Sequence, residues 1–205
     1  MNSSEALKQL MFIERYPSVK SMRLAAEGWR SDFQTLIAII LSARTLDETT
    51  IAVCKKLFEK YPSAETLSNA SRNDVEKIIL PINFYQNKSK YIINCSKEIL
   101  EKHNGEIPRD FDKLVSLPGV GRKTANVFLA GKGADAIGVD THVSYISQKL
   151  GWTKNKNPEK IEKDLMNLFP KKHWKEINSS LVRFGKTHTS RMQKDEILEE
   201  IKKIK

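Results

Sequence analysis

Apolar residues recur along this chain at intervals of three and four, the spacing that lines one face of an α-helix. Ser31-Asp32-Phe33-Gln34 has the form of a capping box, and the apolar run over 33–41 behind it predicts a buried helix. Ile51, Cys54, Leu57 and Phe58 predict a helix over 47–61, which Pro62 ends. A third over 71–80 stops before Pro81, and one over 85–103 carries Tyr91, Ile92, Cys95, Ile99 and Leu100 on one face, with Gly105 as its stop. Further helices are expected over 110–116, 122–130, 141–150, 158–168 and 174–184. A charged one over 193–205 has Ile197, Leu198, Ile201 and Ile204 as its stripe. Sustained two-residue alternation of β-branched positions is missing from the sequence, so the expected class is all-α. No repeat of solenoid length occurs, and the weakest joints are Gly131-Lys132-Gly133 and the polar stretch 153–157.

Composition narrows the partners rather than the fold. The 205 residues carry 35 basic and 25 acidic side chains, a net charge of +10, which directs attention to a polyanion, nucleic acid first. No apolar run approaches the roughly 20 residues of a membrane span, and the mixed N-terminus has no signal-peptide pattern. An intracellular protein is expected. Cys54 and Cys95 lie in helical contexts without metal-ligand spacing, so they read as two buried thiols.

The sequence Leu117-Pro118-Gly119-Val120-Gly121-Arg122-Lys123-Thr124-Ala125 stands between two helical stretches. Pro118 disfavours continuation of the first, and the glycines permit positive φ and close approach of a partner. Val120 can plug the junction. The second helix then begins with outward N–H groups at the positive end of its dipole, a fit for a phosphodiester. The alternative is a plain αα turn that uses glycine for economy.

This hairpin, with Val139-Asp140-Thr141-His142-Val143 placed so that Asp140 follows Lys123 by 17 positions, resembles the signature of the endonuclease III family of helix-hairpin-helix DNA glycosylases. The resemblance runs from about Phe33 to Phe184 and includes Leu41-Ser42-Ala43-Arg44-Thr45-Leu46-Asp47 and His103-Asn104-Gly105-Glu106-Ile107-Pro108. It implies base excision repair by a DNA glycosylase with abasic-site lyase activity, acting on double-stranded DNA with damaged bases or abasic sites. Lys123 is then the nucleophile that attacks C1′ and forms a Schiff base, which requires an amine made less basic by burial or nearby charge. Asp140 stabilises the developing sugar cation or assists proton transfer. Asp140-Thr141 also reads as a simple helix N-cap. His142 is either a phosphate contact or a structural histidine.

The hairpin residues Leu117, Gly119, Val120, Gly121, Arg122 and Thr124 are expected to grip the backbone. Ser42 and Arg44 belong to a loop that fills the gap left by the extruded base, with arginine where glutamine stands in familiar bacterial members. The second loop supplies Ile82 or Phe84 as a wedge, and Lys88 faces solvent or phosphate. Ile82 and Phe84 also read as ordinary core residues. Oxidised pyrimidines are the expected substrates. A mainly abasic-site lyase, a mismatch uracil or thymine glycosylase, and a non-catalytic DNA-binding module are the rivals.

Relatives commonly hold a [4Fe–4S] cluster on four cysteines near the C-terminus. Here that region reads Phe184-Gly185-Lys186-Thr187-His188-Thr189-Ser190-Arg191-Met192, with no cysteine beyond Cys95. No cofactor and no metal are therefore expected, and the tail helix is expected to take the cluster's structural place by apolar packing. Two helical lobes are anticipated, residues 31–136 and residues 1–30 with 137–205, with DNA across the mouth between them. The protein is expected to be a cytoplasmic, nucleoid-associated monomer from a prokaryotic cell.

Overall fold

The computed structural model describes residues 1–16 and 22–205. Every regular element among them is helical: α1 (Ser3–Arg15), α2 (Asp32–Ser42), α3 (Asp47–Lys60), α4 (Ala64–Ser68), α5 (Arg72–Ile79), α6 (Tyr85–His103), α7 (Phe111–Ser116), α8 (Arg122–Gly131), α9 (Thr141–Leu150), α10 (Pro158–Leu168), α11 (Trp174–Thr187) and α12 (Arg191–Lys202). A single 3₁₀ turn, Lys171–His173, leads into α11. None of these helices is long and apolar enough to cross a membrane. The chain divides into two compact units, Arg23–Phe128 and Met1–Met22 with Leu129–Lys205.

In the unit Arg23–Phe128, α2 is buried from Phe33 through Leu41 on all its faces, as a helix apolar all round must be. Ser31 caps it by accepting from the Gln34 amide at 3.2 Å. The reciprocal arm of the expected capping box is displaced by one residue, because Gln34 Oε1 accepts from Arg30 N rather than from Ser31. The same unit buries Leu57, Leu67, Ile79, Ile82 and Phe128 almost fully. The short α4, held by a Ser63–Thr66 capping box, was not foreseen in the periodicity, since five residues carry too little of it. Both cysteines are buried here, and desolvation pushes each thiol up to about 12.

The other unit joins the two ends of the chain. Ala6, Leu10 and Ile13 of α1 share one core with Val143, Ile146 and Leu150 of α9, Leu181 and Phe184 of α11, and Leu198 and Ile201 of α12. Gln9, fully buried, accepts from Trp152 Nε1 at 2.7 Å and donates to the carbonyls of Lys202 and Ile204. The tail stripe expected from sequence packs in this way, with Ile197 and Ile204 at the rim of the core. A polar seam reinforces it: Tyr145 and Lys149 of α9 both bond Asp195 of α12.

Candidate active site

The turn between α7 and α8 follows from its residue types. Leu117 leaves the helix in an extended conformation, Val120 N donates to its carbonyl at 3.0 Å, and both side chains are buried. Gly119 has φ +80°, and a Cβ there would stand 2.7 Å from the Tyr91 Cβ, so both backbone and space call for glycine. Gly121 differs. Its φ is not positive, and nothing lies within 4 Å of where its Cβ would be, so the open side of the turn faces away from the protein's own atoms.

The Gly121 carbonyl accepts the first helical bond of α8 from Ala125 N at 3.0 Å, which puts Gly121 at the N-cap. A glycine brings no side-chain acceptor to that position, and the first turn of α8 contains no acidic residue. Arg122 is half-buried with its guanidinium 4.9 Å above the Phe111 ring. Lys123 is half-buried and Thr124 buried. Ala125 and Phe128, both fully buried, anchor the opposite face of the helix.

Asp140, in the other unit, is the N-cap of α9. Its backbone is extended, and its Oδ1 accepts from Val143 N at 2.9 Å. The carboxylate therefore does the capping that its sequence context suggested, and its half-buried side chain keeps a face to solvent. His142, in the first turn of α9, packs against α11 so closely that a Cβ on Gly185 would fall 2.2 Å from its Nδ1. Among the described residues no group of three or more His, Cys, Asp or Glu side chains could hold a metal.

The structure brings the two loops around Arg44 and Phe84 together within one unit. Arg44 leaves the end of α2 with φ +57°, and its guanidinium sits 5.0 Å above the ring of Phe84, itself at φ +60° and 55% exposed. Asn83 ties the loops by donating its side-chain N–H to the Arg44 carbonyl and its backbone N–H to Thr45 Oγ1. Ser42 is half-buried, and its hydroxyl donates to the Ile39 carbonyl of its own helix.

One residue left open between wedge and core falls in the core, and one expected at the surface is buried. Ile82 is 1% exposed and part of the core, because the turn after α5 folds its side chain beneath the loop, so Phe84 alone of that pair is presented. Lys88 is 6% exposed, and burial lowers its ammonium to about 8. It faces carbonyl oxygens of the 41–45 segment instead of solvent. The linking roles of Asn83 and Thr45 have no signature in the sequence, since each depends on a partner roughly forty positions away in the chain.

Comparison with known proteins adds the following. Residues 37–171 match the family model described as HhH-GPD superfamily base excision DNA repair protein. The chain is 43% identical over 155 residues to endonuclease III of Thermotoga maritima, covering 75% of this chain and 73% of that one. With endonuclease III of Bacillus subtilis it shares 42% over 158 residues, 76% and 72% of the two chains. Its fold is similar to that in the structure of a trapped endonuclease III–DNA covalent intermediate, with a TM-score of 0.84, 34% identity, and 93% and 89% of the chains covered.

Proposed function

The chain belongs to the endonuclease III family, within the HhH-GPD superfamily of base excision DNA repair proteins, and from that premise we propose how its residues work. It is a base excision repair DNA glycosylase with abasic-site lyase activity, and its partner is double-stranded DNA containing damaged bases or abasic sites. The reading of its site rests on one observation above the others: Lys123 stands in the first turn of a helix whose N-cap is a glycine facing open space.

The outward N–H groups at the start of α8 take a backbone phosphate, with Gly119, Gly121, Arg122 and Thr124 shaping the grip and Leu117 and Val120 holding the turn from beneath. With the backbone held there, the unprotonated Lys123 amine attacks C1′. The Nζ–C1′ bond forms as the glycosidic bond breaks, and the base leaves with a proton. Opening of the sugar ring, with protonation of its oxygen, gives the Schiff base. This acidifies C2′; loss of that proton expels the 3′ phosphate oxygen by β-elimination, and water then frees the lysine. Asp140 stabilises the cationic sugar or carries one of these protons. Arg44 enters the gap left by the extruded nucleotide, with Phe84 as the wedge beside it. Oxidised pyrimidines are the substrate class we assign.

Borohydride trapping tests this directly. Wild type and Lys123→Gln are incubated with two duplexes, one abasic and one containing thymine glycol opposite adenine. Covalent adducts with both, lost in the variant, are expected. An adduct with the abasic duplex alone would leave the lyase chemistry and overturn the substrate. Failure of folded wild type to form any adduct would favour a non-catalytic DNA-binding module.

The residues present do not fit an iron–sulfur cluster. The C-terminal region offers no thiol, and His188, its one imidazole, is turned into the core against Tyr16 and Phe184 with its Nδ1 at the Phe184 carbonyl. We infer that the protein works without a cluster and that apolar packing of α12 holds this unit together. Purified protein should lack the absorbance at about 400 nm that such clusters give; its presence with stoichiometric iron would overturn this.

A further inference from the structure

Lys88 is a lysine in the first turn of α6 that is denied to solvent. Its Nζ donates to the Leu41 carbonyl at 2.8 Å, the Ala43 carbonyl at 2.6 Å and Thr45 Oγ1 at 3.4 Å. An ammonium has three donors, and here three acceptors from one turn surround it. The carbonyls lie at and just beyond the C-terminal end of α2, where helical oxygens lack partners and a cation is favoured. Burial lowers the ammonium only to about 8, so it stays mostly charged at neutral pH.

The segment so held carries Arg44. Three non-glycine residues have positive φ among the described ones, Arg44, Phe84 and Asn104. Asparagine tolerates that region; arginine and phenylalanine adopt it only where their surroundings impose it. At Arg44 and Phe84 the surroundings are the Lys88 ammonium and the Asn83 bonds to both sides of the same turn.

We propose that Lys88 is a positioning residue that locks the 41–45 turn, so that the Arg44 side chain is presented to the duplex in one orientation against Phe84. It touches neither DNA nor reacting atoms and acts through Arg44. The inference rests on the proposed entry of Arg44 into the gap in the duplex.

The test compares single-turnover lyase rates on an abasic site in duplex and in single-stranded DNA, because a single strand leaves no gap to fill. For Lys88→Met the ratio of duplex to single-stranded rate should fall about 100-fold, the scale of loss when a group is misplaced by an ångström. Lys90→Met, exposed on the same helix, should keep the wild-type ratio. Arg44→Ala should lower the ratio similarly, and the double variant Lys88→Met with Arg44→Ala should lower it no further. An unchanged ratio in Lys88→Met, or a loss that adds to that of Arg44→Ala, would overturn the proposal. If Lys88→Met does not fold, Asn83→Ala is measured in the same cycle. A loss of about tenfold, absent in the Arg44→Ala background, is expected, and an additive loss or none counts against it. Wild type inactive on both DNAs would instead reject the glycosylase reading itself.

Discussion

Gly121 and Asp140 occupy the same position on two different helices and fill it in opposite ways. Each lends its carbonyl to the first helical bond, from Ala125 and from Ser144. Asp140 then turns its own Oδ1 onto the Val143 amide and satisfies the helix from within the chain. Gly121 has no side chain to turn, and the space beside it is open to 4 Å. The lesson is that a helix start can be capped by a side chain of its own N-cap residue or can carry an N-cap with no side chain to offer. The motifs 117–121 and 139–143 thus contribute differently. In the proposed function the first offers donors to a phosphate, and the second holds a carboxylate whose capping bond fixes where it stands.

The largest expected effect separates the cap that Asp140 makes from the catalytic role proposed for it. Asparagine caps a helix about as well as aspartate, so Asp140→Asn keeps the bond to Val143 and removes only the charge. Single-turnover excision should fall about 100- to 1000-fold, the loss typical of one removed electrostatic stabiliser, with little change in melting temperature. Asp140→Ala should lose stability as well, by about 1 kcal/mol. Near-normal excision by Asp140→Asn would reduce this residue to a cap.

A second variant examines how the start of α9 is held from outside. Ala in place of Gly185 would gain roughly 1 kcal/mol of helix propensity in α11. Its Cβ would meet His142 Nδ1 at 2.2 Å, however, and overpacking of this kind costs about 1–3 kcal/mol. Denaturant melts should show Gly185→Ala destabilised in the wild-type background and neutral or stabilised beside His142→Ala. The same sign in both backgrounds would mean that the histidine ring is not seated on Gly185.

These comparisons also show where sequence reading succeeds. The hairpin was legible because Pro-Gly-x-Gly states its own backbone requirements, and Gly119 meets them with φ +80° against Tyr91. The all-α class followed from periodicity sustained over many turns. Ile82 was legible only as a choice between wedge and core, and Lys88 was not legible. One sits in a turn and one in a helix, and in both cases burial is decided by residues distant in the chain. A lysine in a basic protein reads as solvated until its partner carbonyls, 45 and 47 positions away, are seen. Asp140 lies between these cases, because its cap is written locally and the catalytic role proposed for it is not.

The smallest effect is the most diagnostic of the opening comparison. Gly121→Asp would give α8 the kind of start that α9 has. Open space at Gly121 means that the new side chain meets no clash, and the φ there needs no glycine. An aspartate at this N-cap should raise stability by about 0.5–1 kcal/mol, through the cap bond and the favourable charge at the dipole's positive end. That same carboxylate would occupy the donors proposed to hold a phosphate and repel one that approached. Affinity for an abasic duplex should then drop by about tenfold or more, the worth of a charge-assisted bond. Gly121→Ala supplies the control, adding bulk without an acceptor. Opposite signs in the aspartate variant, firmer fold and weaker DNA binding, would mean that the hairpin's open helix start is where the backbone is held. If stability rises and affinity does not change, the glycine serves only the turn, and the grip on DNA must lie elsewhere on the protein.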